Sequence, residues 1–288
     1  MPFALFTDSF SNLPGSHLRE LNIHVIPCTY LSEGETIHYN GDIDTFDAKA
    51  YYDDMRAGRF ITTSLVSPHV FDSHFRKALD AGQDIVYVGL SSGVSGTFQS
   101  AVLAAGDLQA EYPERTIRLV DSLGAGLGTG LLACRGADLR DAGMDANAAA
   151  DCLEQERTRL CEFFTVENLS YLHRTGRISA ATAAIGKVLN IKPLLYGDDT
   201  GHIVSCAKCR GRQKAIDAIV EKYRTKAADF QRVAITHSDC PEEAQALAER
   251  ICAIAQPKEL LLLPHEPFTG SHVGPGTLAL FFFGDSRK

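Results

Sequence analysis

Residues 85–101 read IVYVGLSSGVSGTFQSA. The first six positions, Ile85 to Leu90, are almost continuously apolar, as expected for a strand that is covered on both faces. A loop of serine and glycine follows, and a helical pattern begins near Thr97. A strand, a short loop and a helix in this order form the unit from which parallel sheets are built.

The segments on either side continue this alternation. Strand-like segments at 3–8, 25–31 and 117–121 alternate with helical patterns at 68–82 and 97–112. We therefore predict an α/β chain whose N-terminal domain, residues 1–155, has a mainly parallel sheet with flanking helices. Residues 34–54 are polar and rich in turn-forming residues, so we predict an insertion there, either a loop or a small hairpin.

The second half, residues 156–288, is predicted to form a C-terminal domain of α/β type with α+β character. Strands are predicted at 161–166, 193–196, 202–206, 233–236, 260–263 and 278–283, and helices at 169–173, 180–189, 212–226 and 241–255. The segment Gly197-Asp198-Asp199-Thr200-Gly201 between the second and third strands is typical of a hairpin turn.

Composition narrows the class of protein. The 288 residues are 45% hydrophobic and 22% charged, an ordinary globular balance, and the net charge is -8. An acidic chain without a basic tract is a poor candidate for binding nucleic acid or an anionic membrane. No apolar run approaches the ~20 residues that span a bilayer, and no secretory signal is evident. We expect a cytoplasmic protein without stable membrane insertion, with its eight cysteines as reduced thiols.

Small hydroxyl side chains are concentrated in four loops, at 7–14, 62–68, 90–100 and 121–126. Three of these loops come directly after predicted strands, where an open parallel sheet binds its ligands. Hydroxyl groups and helix N-termini can hold an anion there. In any one loop the same residues can instead cap the following helix. The four loops together favour a shared anion site.

A nucleotide phosphate is not the predicted anion. No lysine follows the glycines of loop 90–100 as a P-loop requires, and the glycines from 124 to 130 lack the dinucleotide spacing. A stand-alone serine acyl hydrolase is the alternative function, with Ser95 as nucleophile and Asp121 and His272 as candidate partners. The Gly-x-Ser-x-Gly pattern is absent from the loop.

One C-x-x-C pair is present at Cys206 and Cys209. A structural zinc site takes four ligands and no second such pair exists, so no metal site is predicted. A redox pair of thioredoxin type stays open as an interpretation, although a coincidence is favoured in a chain with eight cysteines.

Several motifs occur in the order found in one known family. They are Thr7-Asp8-Ser9, Thr63-Ser64-x-x-Ser67-Pro68, Ser91-Ser92-Gly93-Val94-Ser95-Gly96, Val120-Asp121-Ser122, Gly176-Arg177-Ile178-Ser179 and His272-Val273-Gly274-Pro275-Gly276. On these residues, which are spread over almost the whole chain, the sequence resembles the DegV family. It departs from the family at Leu65-Val66, where a Gln-Pro pair is common.

The resemblance implies an N-terminal Rossmann-like domain and a C-terminal lipid-binding domain. It also implies a lipid-binding protein rather than an enzyme, with one long-chain fatty acid as ligand and no cofactor. By matching motif positions, Thr63 and Ser95 hold the carboxylate between the two domains, and His272 lies close enough to join them. We place His272 in a loop, because Gly274, Pro275 and Gly276 are typical of a turn. Ser92 and Gly96 belong to the same loop as Ser95 and are included in the predicted site. In bacteria with a fatty acid kinase, such proteins present the carboxylate to an ATP-binding subunit, which forms acyl phosphate. That subunit is the predicted protein partner.

Apolar residues of the second half are candidates for lining the acyl tail, because burying an acyl chain contributes ~0.8 kcal/mol per CH₂. They are Phe163, Phe164, Ile185, Val188, Leu189, Ile191, Leu194, Leu261, Leu263, Leu280 and Phe282. Each of them can equally belong to the core of the domain.

Basic residues are grouped in two short segments of this acidic chain. Arg177 lies in one, and Arg210 and Arg212 lie in the other together with Lys208 and Lys214. Because cations are not favoured at a helix N-terminus, capping does not explain them. The resemblance makes these arginines candidates for docking the kinase subunit, and a solvated basic face is the alternative.

Overall fold

The computed structural model describes residues 3–185 and 190–287. In chain order, the first half of this part contains β1 (Ala4–Asp8), α1 (Gly15–Glu20), β2 (Ile23–Ile26), β3 (Cys28–Ser32), β4 (Glu35–Tyr39), α2 (Ala48–Arg56), β5 (Ile61–Thr63), α3 (Pro68–Asp80), β6 (Ile85–Gly89), α4 (Thr97–Glu111), β7 (Ile117–Asp121), α5 (Leu127–Asp141) and α6 (Ala146–Glu156). The second half contains β8 (Leu160–Thr165), α7 (Ser170–Arg174), α8 (Ala180–Ile185), β9 (Ile191–Gly197), β10 (Ile203–Arg210), α9 (Arg212–Lys226), β11 (Ala227–His237), α10 (Pro241–Ile254), β12 (Glu259–Pro264), α11 (Pro267–Val273) and β13 (Leu278–Gly284).

These elements form two compact units. Unit 1 comprises Met1–Thr45 and Thr63–Thr158, and unit 2 comprises Phe46–Thr62 and Arg159–Lys288. The chain therefore enters unit 2 briefly with α2, returns to unit 1, and enters unit 2 again after residue 158. The division predicted from sequence, at residue 155, placed Phe46–Thr62 in the N-terminal domain, whereas the structure places this segment in unit 2. The polar composition of the segment did not indicate which unit it packs with.

The main sheet of unit 1 has the strand order β2-β1-β6-β7. All three pairs of neighbours are parallel, which confirms the predicted parallel sheet. The four residues of β6 from Ile85 to Val88 are completely buried, as the uninterrupted apolar run indicated. The strand order reverses between β1 and β6, so the loops that follow these two strands meet at the position where such sheets bind ligands.

Residues 25–31 do not form the single predicted strand. Pro27 lacks the N–H group that a ladder needs, and the chain leaves β2 there and enters β3. Strands β3 and β4 form an antiparallel hairpin. Its turn residues Glu33 and Gly34 both have positive φ, at 52° and 85°, as two-residue hairpin turns with this twist require. Only β4 of this hairpin lies in the predicted insertion 34–54, because its other strand is β3, and the same segment also contains most of α2, a helix that was not predicted.

Unit 2 is built on a six-stranded mixed sheet of order β10-β9-β8-β13-β11-β12. Strands β11 and β12 are parallel, and the other neighbours are antiparallel, including the predicted β9–β10 hairpin. One face packs on α9 and α10, whose inward side chains include Ile216, Ile219 and Leu247. The other face carries a second apolar cluster that includes Val166, Leu172, Leu195 and Val273. In the described ranges, no helix is both long and apolar enough to cross a membrane.

Candidate functional site

Ser95 lies in the loop between β6 and α4. Its hydroxyl accepts the Thr97 N–H at 3.2 Å and donates to Thr97 Oγ1 at 3.1 Å. It therefore satisfies the N–H group of the first residue of α4 through a local turn, while the N-cap position itself is Gly96. Ser95 is partly exposed, and Ser92 and Gly96 are exposed. The Ser95 hydroxyl is thus also accessible to a ligand.

The loop that carries Ser95 is fixed by the loop after β7. The Ser91 N–H donates to Gly124 O at 2.9 Å, and the Ser92 N–H donates to Asp121 Oδ1 at 3.2 Å. Within the loop, the Gly93 N–H donates to Ser91 Oγ at 3.0 Å. Two of the four hydroxyl loops are therefore held together at the same edge of the sheet.

The loop that follows Thr63 adjoins the Ser95 loop. The Val66 N–H donates to Thr97 Oγ1 at 3.3 Å, and Thr97 Oγ1 is also the acceptor for Ser95. A Cβ atom at Gly96 would lie 3.5 Å from Leu65 Cδ2. Thr63 itself is half-buried. The structure thus joins the loops of Thr63 and Ser95, the two residues that the motif match selected.

The loop after β1 is closed rather than open. Ser9 and Ser11 are completely buried, and their hydroxyl groups have no hydrogen-bond partner among the described residues. Asp8 is also completely buried, and its carboxylate accepts from the Tyr87 hydroxyl at 2.7 Å and from the Leu90 N–H at 2.9 Å. Burial raises the pKa of Asp8 to about 6, against the lowering effect of these hydrogen bonds. Asp8 therefore anchors the first residue after β6, a role that the sequence analysis did not assign.

His272 lies in the last turn of α11, and the sequence-based placement in a loop is wrong in this respect. The helix forms because Pro267 occupies its first turn and the Glu266 carboxylate accepts the Thr269 N–H at 2.8 Å, which caps the N-terminus. The following Gly274 has a φ of 80° and ends the helix. The Gly-Pro-Gly sequence that suggested a loop is the helix terminator.

The surroundings of His272 are basic. Burial lowers the pKa of His272 to about 3, and the charges of Arg177 and Arg174 act in the same direction. The Arg174 guanidinium lies 4.5 Å from the Phe60 ring centroid and 5.2 Å from that of Tyr171. Burial also lowers the pKa of Arg177. Arg177 is therefore an electrostatic neighbour of His272 in unit 2, which adds a second role to the docking role predicted from sequence.

Strand alternation divides the predicted tail residues between the two faces of the unit 2 sheet. Phe163, Leu194, Leu280 and Phe282 belong to the core under α9 and α10, where protein side chains already surround them. Phe164 packs against the cluster on the opposite face. Leu261 is buried, and Ile191 and Leu263 are half-buried. Val188 and Leu189 lie outside the described residues, as does the side chain of Ile185.

An open groove of about 590 Å³ lies between α8 and β10. It is lined by Ala181, Thr182, Val204, Ser205, Cys206, Ala207 and Lys208. Cys206 is exposed on this side of the strand, whereas Cys209 packs against the core under α9. Both cysteines are free thiols, and β10 has an irregular register between Ser205 and Ala207. Burial raises the pKa of each thiol, whereas a redox-active cysteine has a lowered pKa. Among the described residues, no group of His, Cys, Asp or Glu is arranged to hold a metal ion.

The two arginines of the second basic segment differ in their environment. The Arg212 guanidinium forms a salt bridge with Glu243, with the closest contact at 2.6 Å, and its side chain is 18% exposed. Arg210 is exposed at the end of the edge strand β10, next but one to the exposed Lys208. Arg210 is therefore available to a partner, and Arg212 is engaged within unit 2.

Comparison with known proteins identifies the family. A family model described as "uncharacterised protein, DegV family" matches residues 2–285. The chain is 36% identical to a DegV domain-containing protein of Clostridium perfringens, over 99% of both chains. It is similar to the structure of a fatty-acid-binding DegV family protein from Thermus thermophilus, with 31% identity, a TM-score of 0.87, and coverage of 99% of this chain and 100% of that one. For DegV, a fatty acid binding protein from Bacillus subtilis, the identity is 29% and the TM-score 0.83, over 99% and 100% of the chains. The chain belongs to the DegV family.

Proposed function

We propose that this chain binds one long-chain fatty acid and acts as a carrier rather than as an enzyme. The observation that carries the proposal is the full-length similarity to the Thermus thermophilus and Bacillus subtilis proteins, both of which are described as binding fatty acid. The joined hydroxyl loops in unit 1 and the basic surroundings of His272 in unit 2 are both suited to a carboxylate.

Thr63 and Ser95 are proposed to hydrogen-bond the carboxylate, with Ser92 and Gly96 completing the loop around it. Their loops share Thr97 Oγ1 as a common hydrogen-bond acceptor, so both loops keep a fixed relation to α4. A carboxylate accepts several hydrogen bonds at once, and bonds to a charged group are stronger than those between neutral groups. Ser95 has a single O–H group, so its hydroxyl must rotate away from Thr97 Oγ1 to donate to the carboxylate, while it can still accept the Thr97 N–H.

His272 is proposed to join this network from unit 2. Its imidazole is neutral in the free protein, since burial and the two arginines hold its pKa at about 3. A neutral imidazole can donate one N–H to a carboxylate. The arriving negative charge also stabilises the imidazolium form and raises the pKa of His272. The placement of the carboxylate between the two domains stays a prediction.

The acyl tail is proposed to be buried in unit 2, on the face of the sheet that carries Phe164, Leu195 and Leu261. The opposite face is filled by α9 and α10. Since each buried CH₂ contributes ~0.8 kcal/mol, the tail supplies most of the affinity and the polar residues select the head group.

The chain is further proposed to present the bound carboxylate to the ATP-binding subunit of a fatty acid kinase, which forms acyl phosphate. Arg210 and Lys208 supply exposed positive charge for docking, and Arg177 is the remaining candidate. No observation favours the serine hydrolase alternative. The Ser95 hydroxyl bonds to Thr97 rather than to a histidine, whereas Ser238, whose hydroxyl lies 3.3 Å from His265 Nδ1, is completely buried.

Native mass spectrometry of the purified chain tests the proposal. We expect one intact fatty acid per protein chain, and rebinding of one equivalent of oleate after the lipid has been removed. An ester of the same acid should not be hydrolysed. The proposal is wrong if the lipid-free protein binds no fatty acid, or if it turns over an activated ester and loses that activity in Ser95→Ala.

A further inference from the structure

Helix α2 is attached to the start of α11, more than 200 residues further along the chain. The Tyr51 hydroxyl donates to Pro267 O, and the Tyr52 hydroxyl donates to His265 O at 3.0 Å. Tyr51 is 7% exposed and Tyr52 is completely buried. Two adjacent tyrosines thus hydrogen-bond to carbonyl groups on either side of Glu266, the residue that caps α11.

Close packing accompanies these hydrogen bonds. A Cβ atom at Gly270 would lie 2.3 Å from the Tyr52 hydroxyl oxygen and 3.0 Å from its Cζ. Only glycine at this position lets the ring approach α11 so closely. The side chain of Tyr52 therefore contacts α11 both before its first residue and in its middle.

His265, the residue before the capping Glu266, is held by residues at the end of β11. Thr236 Oγ1 lies 2.7 Å from His265 Nε2, and Ser238 Oγ lies 3.3 Å from its Nδ1. His265 is 2% exposed, and burial lowers its pKa to about 3, so the ring stays neutral. Because His265 is buried and both of its ring nitrogens have hydrogen-bonding neighbours, it fixes the position of the chain just before α11.

His272 is five residues beyond Pro267, which is roughly 7.5 Å along the helix axis at 1.5 Å per residue. A change in the tilt of α11 at its start therefore displaces His272 in its last turn. We propose that Tyr51 and Tyr52 are positioning residues, which fix the orientation of α11 and thereby place His272 for fatty-acid binding. The effect on fatty-acid binding rests on the proposed function. The orientation of α11 by the two tyrosines does not, because it can be tested in the ligand-free protein.

A double-mutant cycle tests the inference through binding. The four proteins are wild type, Tyr51→Phe with Tyr52→Phe, His272→Ala, and the combination of all three changes, with oleate affinity measured by calorimetry after lipid removal. Loss of the two hydroxyl groups should weaken oleate binding about tenfold when His272 is present. The loss should be less than about twofold in the His272→Ala background, since the effect passes through the histidine. Equal losses in both backgrounds overturn the inference.

The control is Tyr223→Phe. Tyr223 is a completely buried tyrosine of the same unit, and its hydroxyl has no hydrogen-bond partner among the described residues. It lies on α9, on the other face of the sheet, so its variant should bind oleate like wild type. If the paired variant does not fold, the single Tyr52→Phe variant replaces it in the same cycle.

A second measurement needs no ligand. In the lipid-free protein, the pKa of His272 followed by NMR should move from its lowered value of about 3 toward the ordinary value of about 6.5 when both hydroxyl groups are removed, because a loosened helix end becomes hydrated. An unchanged pKa overturns the inference. If wild type binds no oleate, the proposed function fails, and this titration still decides whether the tyrosines position His272.

Discussion

The hydroxyl of Tyr87 on β6 donates a 2.7 Å hydrogen bond to the carboxylate of Asp8 at the end of β1. The same carboxylate oxygen accepts the Leu90 N–H at 2.9 Å. Asp8 thus ties together the two strands between which the order of the sheet reverses, and it does so where solvent cannot reach. Doubly wound sheets bind their ligands at such a reversal of strand order, and here a buried carboxylate lies at that point.

Asp8 should make the fold less stable as the pH rises. Its folded pKa of about 6 lies above its ordinary value of 3.8, so the folded state retains a proton that the unfolded state releases. The contribution of Asp8 to the free energy of unfolding is fully present below about pH 4. It falls by about 3 kcal/mol as the pH rises through 6. In urea titrations from pH 4 to 7.5, wild type should lose this increment relative to Asp8→Asn. Parallel pH profiles of the two proteins would contradict the assignment.

His265 should act in the opposite direction. Its folded pKa of about 3 lies below the ordinary 6.5, so the unfolded state gains a proton first as the pH falls. The free energy of unfolding should drop by about 2 kcal/mol between pH 6.5 and 4.5 from this residue alone. His265→Gln should flatten the profile over that range, measured by urea unfolding against wild type. A variant with an unchanged slope would show that the ring is not held neutral.

Replacing Thr63 and Ser95 by alanine should weaken fatty-acid binding and leave the fold intact. Each hydrogen bond to a charged carboxylate contributes ~1.5–3 kcal/mol, so each single variant should lose about one to two decades in affinity. Ser95→Ala should also lose ~1 kcal/mol of stability, because the Thr97 N–H loses its hydrogen-bond acceptor. Calorimetry with oleate and urea unfolding measure the two effects. Wild-type affinity in the double variant would remove both residues from the head-group site.

Alanine substitutions at Arg210 and Arg212 should have different effects, one on docking of the kinase subunit and the other on stability. Arg212→Ala breaks the bridge to Glu243 and should cost about 1 kcal/mol of unfolding free energy. Arg210→Ala should leave stability within about 0.5 kcal/mol. It should slow acyl-phosphate formation with a matched kinase subunit, more at low salt than at high salt, because exposed charges chiefly affect the association rate.

The control for docking is Arg224→Ala, since Arg224 is an exposed arginine on α9 that pairs only with its helical neighbour Glu221 among the ion pairs of the described residues. It should couple to the kinase subunit like wild type. Equal slowing by the Arg210 and Arg224 variants would indicate a general effect of charge and not a docking position.

Local patterns predicted the elements well where a segment carries its own signal. The run from Ile85 to Gly89 and the periodic segment from Arg212 to Lys226 each indicate one element, and β6 and α9 occupy those positions. The hydroxyl loops after β6 and β7 were likewise located from sequence, because serine, threonine and glycine directly after an apolar run indicate that the strand has ended in a loop. These elements and loops are determined by residues close together in the chain, so they can be recognised from the sequence.

Long-range contacts were not predictable in this way. Nothing near Tyr51 and Tyr52 indicates that their partners are the carbonyl groups of residues 267 and 265, or that Phe46–Thr62 packs with unit 2. The Gly-Pro-Gly segment after His272 is compatible with either a loop or the end of a helix, and only the capping by Glu266 decides for the helix. Strand alternation separates Phe163 from Phe164, but assigning each of them to a face of the sheet requires knowing which strands pair with β8.

The attachment of α2 to α11 also constrains how the chain is made. The hydrogen bonds of Tyr51 and Tyr52 span 216 and 213 residues. At a synthesis rate of ~5–20 residues per second, the tyrosines leave the ribosome roughly 10–40 s before their acceptors exist. During this interval α2 has no surface of unit 2 on which to pack, and its buried face is open to chaperones and to other nascent chains. We therefore expect a ribosome-bound intermediate in which α3 to α6 are folded while Phe46–Thr62 still awaits the last quarter of the chain.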